Sequence, residues 1–142
     1  MREIKFRSWD KEQKVMYEVK KVDFSEQKVF CKQYYLNDWK FSEIELMQYT
    51  GLKDATGKEI YEGDIILFRD IKHKVVFIDQ HNNDEYTLNP TMLFFGLELE
   101  PSKQNREDKL IYVQTFDWDD QEYYKVIGNI YENPELFERE NK

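Results

Sequence analysis

The stretch GLKDATGKEIYEGDIILFRDIKHKVVFID, Gly51 to Asp79, decides the fold. Asp54 and Gly57 mark a tight loop, because an Asp side chain bonds the backbone two residues on and Gly accepts the positive φ such loops need. Glu62, Gly63 and Asp64 mark a second turn, directly ahead of Ile65 to Phe68, a run apolar at every position. A short apolar run bounded by turn residues reads as a strand buried on both faces. Arg69 to Lys74 then reads as a polar connection and Val75 to Ile78 as the partner strand.

Turn, buried strand, connection and second buried strand form the order found at the start of a small SH3-like barrel, an analogy of fold that carries no function. Towards the N-terminus, Val15, Tyr17 and Val19 alternate at period two, the mark of a half-buried strand. Two such runs, KVDF and KVFCKQYY, lie between Lys21 and Tyr35, joined by Ser25, Glu26 and Gln27, which predicts a hairpin. The parity slips between Val19 and Val22, so a bulge or turn belongs there. Ser42 followed by Glu45 has capping-box spacing, while the β-favouring residues after it argue for a strand from Leu46 to Thr50.

Towards the C-terminus, DQHNNDEYTL reads as a loop, Asn89, Pro90 and Thr91 as a turn or helix start, and Thr91 to Leu99 as a helix or a strand. Pro101 to Lys109 is the most polar segment and reads as a mobile loop, followed by a strand at Leu110 to Phe116. Tyr123 to Glu132 reads as a last long strand in which Gly128 signals a bulge or a close backbone approach. Asn133 and Pro134 then open a terminal helix of about two turns over ELFERE. The expected fold is mainly β, a β-rich α+β at most: SH3-like barrel elements with an N-terminal β-hairpin region and a short C-terminal helix. A chain of 142 residues is one domain's worth, 1–142, with a natural subdivision into 1–45 and 46–138.

Composition narrows the function classes. The 16% aromatic content excludes disorder for most of the chain, and a domain near this size needs no metal or disulfide staple. Cys31 has no partner for a bridge, which suits a reduced interior and a packed apolar role. No apolar run approaches the roughly 20 residues needed to span a bilayer, and the charged N-terminus has no apolar signal core, so the expected location is the cytoplasm. Lys and Arg number 21 against 29 Asp and Glu, a formal charge of −8. The deficit is C-terminal: residues 1–74 carry +1 and residues 75–142 carry −9. That balance disfavours nucleic acid, which is usually met by a basic stripe.

Residues that could carry chemistry are few. The cluster Asp117, Asp119, Asp120 and Glu122, with Trp118 inside it, reads as a solvated turn, a hard-cation site or a mimic of a phosphate run docking on a basic groove. His73, between Lys72 and Lys74, reads as a solvated turn residue. His81, with Asp79, Asn82, Asn83 and Asp84, resembles a carboxylate-flanked metal or acid/base cluster, in a stretch whose composition is also that of an ordinary loop. Neither a phosphate-binding Gly-rich loop nor a dinucleotide fingerprint occurs, and one cysteine cannot build a Cys-based zinc site, so no cofactor is expected. Trp9 and Trp39 read as core or interface residues, while Tyr49, Tyr61 and Tyr131 lie among polar neighbours and suit a partly wet binding face. Arg69, Lys72 and Lys74 are the phosphate contacts an alternative nucleic-acid module would use.

Three blocks carry a family resemblance: MREIKFRSWDKEQKVMY at the N-terminus, LMQYTGLKDATGKEIYEGDIILF in the middle and VIGNIYENPEL near the end. Together they resemble the YopX family of phage- and prophage-encoded proteins of Gram-positive bacteria, over nearly the whole chain. The segment from Val76 to Lys125 shows no family pattern. The resemblance implies a small accessory protein of the host cytoplasm, β-rich, with no catalytic residues to carry over. The expectation is a non-enzymatic interaction module, its acidic half contacting a host or phage protein through Asp117, Trp118, Asp119, Asp120 and the tyrosines. Its edges favour self-pairing into a homo-oligomer. A nucleic-acid-associated barrel is the alternative, and a small hydrolase-type enzyme using His81 and Asp84 is third.

Overall fold

A computed structural model describes residues 3–31, 38–78, 94–99, 113–115 and 121–138. The described elements are strands and short 3-10 turns, and the chain divides into two compact units, Met1–Gly51 and Leu52–Lys142.

In the first unit, β1 (Phe6–Asp10), β2 (Val15–Asp23), β3 (Lys28–Cys31) and β4 (Asp38–Lys40) form an antiparallel meander, and β5 (Ile44–Lys53), whose last two residues belong to the second unit, crosses back to pair with the free side of β1, giving the order β4-β3-β2-β1-β5. The predicted hairpin is β2–β3, with Asp23 opposite Lys28 and the Asp23 carboxylate accepting from the Glu26 amide at 3.0 Å and the Ser25 hydroxyl at 3.1 Å. The parity slip is a register shift between Val19 and Lys21. It lets the residues before and after it reach the same core, where Tyr17, Val29, Cys31 and Ile44 pack with Val19, Val22, Trp39, Phe41 and Leu46. Cys31 is buried with its Sγ 3.5 Å from Ser8 Oγ, and burial pushes its thiol pKa up, which suits the packed role and makes it unreactive. The helical turn falls earlier than Ser42 and Glu45 suggest. It spans Phe41–Glu43 as a 3-10 turn, closed by the Lys40 amide donating to Glu43 Oε2 at 2.8 Å. Ile44 must already be extended to bury its side chain, so β5 starts there.

In the second unit, β6 (Glu59–Tyr61) returns beside β5 through the Asp54 loop. A five-stranded antiparallel sheet follows in the order β10-β9-β8-β7-β11, built from β7 (Asp64–Phe68), β8 (Ile71–Ile78), β9 (Phe94–Leu99), β10 (Val113–Thr115) and β11 (Lys125–Asn129). Its core is Leu52, Ile60, Ile66, Phe68, Val75, Leu97, Tyr124 and Val126. Among the described residues neither sheet closes into a barrel, so the SH3-like likeness ends with the β7–β8 hairpin.

The expected six-residue connection Arg69 to Lys74 is corrected. Only Arg69 and Asp70 form it, since Phe68 pairs with Ile71 and β8 begins at once. His73 is therefore a strand residue, 4% exposed, with its Nδ1–H donating to the Ile71 carbonyl at 3.0 Å, and not a solvated turn residue. Counting His73 as an inward position restores strict alternation with Val75. The two-turn C-terminal helix is also corrected. Pro134–Leu136 makes a single 3-10 turn, and Phe137 already leaves helical geometry at φ −125°. Leu136 and Phe137 are held instead by the sheet, Leu136 against Gly128 and Phe137 beneath the Lys74 ammonium at 5.4 Å.

Gly128 fulfils both readings made of it. β11 shifts register between Val126 and Gly128, and a Cβ placed at Gly128 would lie 2.5 Å from Asn133 Oδ1 and 2.9 Å from Leu136 Cδ1. Asn133 Oδ1 accepts from the Asn129 amide, so it cannot move without loss. The entropic gain of Gly→Ala, about 0.4–1 kcal/mol, is smaller than an overpacking cost of about 1–3 kcal/mol. Gly128→Ala is expected to destabilise the protein by about 1–2 kcal/mol in urea unfolding. A neutral or stabilising result would show that the chain over Gly128 is loosely held.

Candidate functional site

The buried carboxylates among the described residues, and Asn129, are spent on turns. Asp10, 4% exposed, accepts from the Glu12 and Gln13 amides and from Trp39 Nε1, each at 2.9 Å. Asp54 holds the 54–58 loop and the start of β11. Asp64 Oδ2 accepts from the Tyr61 amide at 2.8 Å. Asn129 accepts from the Tyr131 and Glu132 amides and donates to Glu132 Oε1 at 2.9 Å. Hydrogen bonds to Lys28 and its charge hold the Asp38 carboxyl below the usual carboxylate range. Among the described residues no group of three His, Cys, Asp or Glu side chains could hold a metal ion, and no helix is long and apolar enough to cross a membrane.

The residues expected to form a binding face are scattered. Tyr49 is 3% exposed beneath the Lys5 ammonium, so its ring is not a surface contact. Residues this hydrophobic at alternate positions of a ten-residue strand point inward, and Tyr49 shares the buried side of β5 with Met47. Tyr61 is half-buried and donates to Glu59 Oε2 at 3.1 Å, and Tyr131 is half-buried in the turn after β11. Asp117, Trp118, Asp119 and Asp120 lie outside the described residues, as do His81 and Asp84. The basic trio is also divided. Lys74 is bound to Glu98 at 3.2 Å and covers Phe137, Lys72 is half-buried on the strand, and Arg69 alone stands exposed in the turn.

Where β7 and β11 pair, the surface opens into a depression of about 480 Å³ lined by Leu67, Arg69, Asp70, Tyr123 and Lys125. Leu67 and Lys125 are directly opposite in the ladder, so their side chains share a face. Arg69 and Asp70 overhang it from the β7–β8 turn, with the Arg69 guanidinium 4.9 Å from the Phe68 ring centroid. Tyr123, in the 3-10 turn Gln121–Tyr123, is 60% exposed, while Tyr124 beside it is 1% exposed. The exposed Tyr123 and Lys125 had escaped the sequence reading. A usable signal exists in YYKV, because a strand entering with two adjacent tyrosines can bury only one of them. Among the described residues the depression offers an aromatic face, a small apolar floor, two cations and the Asp70 carboxylate.

The matched lengths place this architecture among known ones. The family model described as YopX protein matches residues 5–138. The crystal structure of protein EF1440 from Enterococcus faecalis is similar, at 27% identity and a TM-score of 0.57, covering 97% of this chain and 100% of that one. The X-ray structure of protein YopX from Bacillus subtilis shares the fold at 19% identity and a TM-score of 0.52, over 96% of this chain and 98% of that one. No curated protein matches. With the family pattern running from Lys5 to Glu138 across both units, the chain belongs to the YopX family.

Proposed function

We propose that the protein is a non-enzymatic interaction module that binds a host or phage protein in the bacterial cytoplasm. The observation that carries the reading is the depression beside Tyr123, a large aromatic left 60% exposed next to Arg69 and Lys125. Tyr and Arg are the residues that dominate the energy of protein–protein contacts. Binding fits this surface better than catalysis, because the described buried carboxylates each hold a turn. The net charge of −8 weighs against a polyanion as the natural partner.

The test is affinity capture of the tagged protein from phage-infected cells, with and without nuclease, and with a Tyr123→Ala variant alongside. One stoichiometric protein recovered under both treatments, and reduced at least about fivefold by Tyr123→Ala, is expected. Recovery only in untreated samples would transfer the function to nucleic acid.

A further inference from the structure

The β7–β8 connection breaks a local rule. A two-residue hairpin turn with positive φ at both positions favours Asn-Gly or Asp-Gly, since only Gly, Asn and Asp take that conformation readily. Here the positions hold Arg69 at φ 52° and Asp70 at φ 61°. Lys14 and Gln27 also have positive φ, but each is a single left-handed residue in a longer turn, where one strained position completes the reversal. Arg at the first of two such positions is a poorer choice than Asn for the turn itself. Residues that break a local rule without helping the fold mark sites where another requirement acts.

The depression supplies that requirement. Arg69 and Lys125 are both exposed on its rim, and neither makes an ion pair among the described residues. The guanidinium is steadied over Phe68, a ring 4% exposed, which limits the side-chain freedom a ligand would otherwise have to remove. Two cations outnumber the single Asp70 carboxylate on the described lining, and with one exposed phenol ring and the half-buried Leu67 they make a place for one negative charge carried on an organic body.

We infer that this depression holds a carboxylate side chain of a polypeptide partner, clamped between Arg69 and Lys125 with its neighbouring residue against Tyr123. The inference rests on the protein-binding reading above. The chain's acidity selects a peptide over nucleic acid. A polyanion feels the −8 charge along its whole length, whereas a lone carboxylate within a Debye length of about 8 Å is governed by the local lining, in which Arg69 and Lys125 outweigh Asp70. Arg offers paired donors that match the two oxygens of a carboxylate.

The probe is a randomised peptide library selected against the full chain. Enriched peptides should carry Asp or Glu next to an apolar or aromatic residue. Their affinity should fall at least about tenfold with Arg69→Asn and with Lys125→Thr, and less than about twofold with Lys58→Ala, on the Asp54 loop. Arg69→Asn places in the turn the residue its geometry prefers, so its thermal midpoint should be no lower than that of the unaltered chain. Loss of binding in a variant at least as stable separates recognition from folding. Enrichment of peptides without acidic residues, or binding indifferent to Arg69 and Lys125, overturns the carboxylate site while leaving the interaction module standing. Failure to enrich any peptide overturns both. Displacement of the peptides by oligothymidylate with a steep salt dependence replaces the carboxylate with phosphate and also overturns it.

Discussion

Replacing Asp54 by Ala is expected to lower the stability of the second unit by about 3–4 kcal/mol, the largest effect of any single carboxylate among the described residues. Asp54 is 5% exposed and its two oxygens answer four donors. Oδ1 accepts from the Thr56 amide at 2.9 Å, the Thr56 hydroxyl at 2.7 Å and the Lys58 amide at 2.9 Å. Oδ2 reaches across to the Val126 amide at 3.0 Å. The first three close the loop in which Gly57 sits at φ 87°, and the fourth ties that loop to the edge of β11. The Thr56 and Lys58 donors can find water after truncation and cost about 0.5–1.5 kcal/mol each. The Val126 amide is buried in the core cluster and bears most of the remaining loss. The measurement is hydrogen exchange at the Ile66, Val75 and Val126 amides together with urea unfolding. A change below about 0.5 kcal/mol, typical of an ordinary surface substitution, would mean that Asp54 does not organise this unit.

The same site sets a pH dependence. Desolvation is the largest single influence on Asp54 and pushes its pKa up, but the Thr56 hydroxyl and the Val126, Lys58 and Thr56 amides together outweigh it. The folded-state pKa is therefore lowered. A depressed carboxylate contributes its stability fully above the unfolded value of about 3.9 and loses it as pH falls through the folded value. The stability gap between the unaltered chain and Asp54→Asn should be flat above about pH 5 and should narrow below about pH 4. A gap that stays constant into acid would contradict the lowered pKa.

The parts of this molecule readable in its sequence are those where one residue's local chemistry leaves no competing option. Asp54 with Gly57, the run Ile65 to Phe68 and the parity slip after Val19 each state a turn, a buried strand and a bulge without reference to any distant residue. Gly128 was legible for the same reason, though what crowds it, Asn133 and Leu136, was not. The region Arg69 to Lys74 misled because charge and polarity are the usual marks of a connection, and here two lysines and a histidine occupy a strand. A strand between two others needs every second residue inward, and His73 satisfies that by bonding its own backbone neighbour. Tyr49 misled in the opposite direction, since polar sequence neighbours say nothing about the face a strand residue occupies. The depression was illegible in principle. It forms because Leu67 is paired with Lys125, and no local pattern in either strand announces a partner that far along the chain.

In the first unit, the second large effect is expected at Asp10. Oδ1 holds the turn after β1 through the Glu12 and Gln13 amides, and Oδ2 accepts from Trp39 Nε1 at 2.9 Å, joining β1 to β4 over the ring of Tyr17, 5.2 Å from that of Trp39. Burial is the largest influence on its pKa and raises it, yet the donors of Gln13, Trp39 and Glu12 bring it below the usual range, so its charge stabilises the fold above about pH 4 and fails in acid. Asp10→Ala should cost about 2–3 kcal/mol, less than Asp54→Ala, because the Glu12 and Gln13 amides lie at an exposed turn where water replaces the carboxylate. Asp10→Asn isolates the other half of the interaction. Its amide can turn its oxygen to the Glu12 and Gln13 amides, which leaves its NH2 facing the Trp39 N–H, donor against donor. Trp39→Phe removes that donor instead. If the indole hydrogen bond operates, each single variant is destabilised and the double variant falls short of their sum by about 1–2 kcal/mol. Strict additivity in this cycle, read by chemical denaturation, would mean that Trp39 contributes only its apolar surface, and the link between β1 and β4 would then rest on packing against Tyr17 alone.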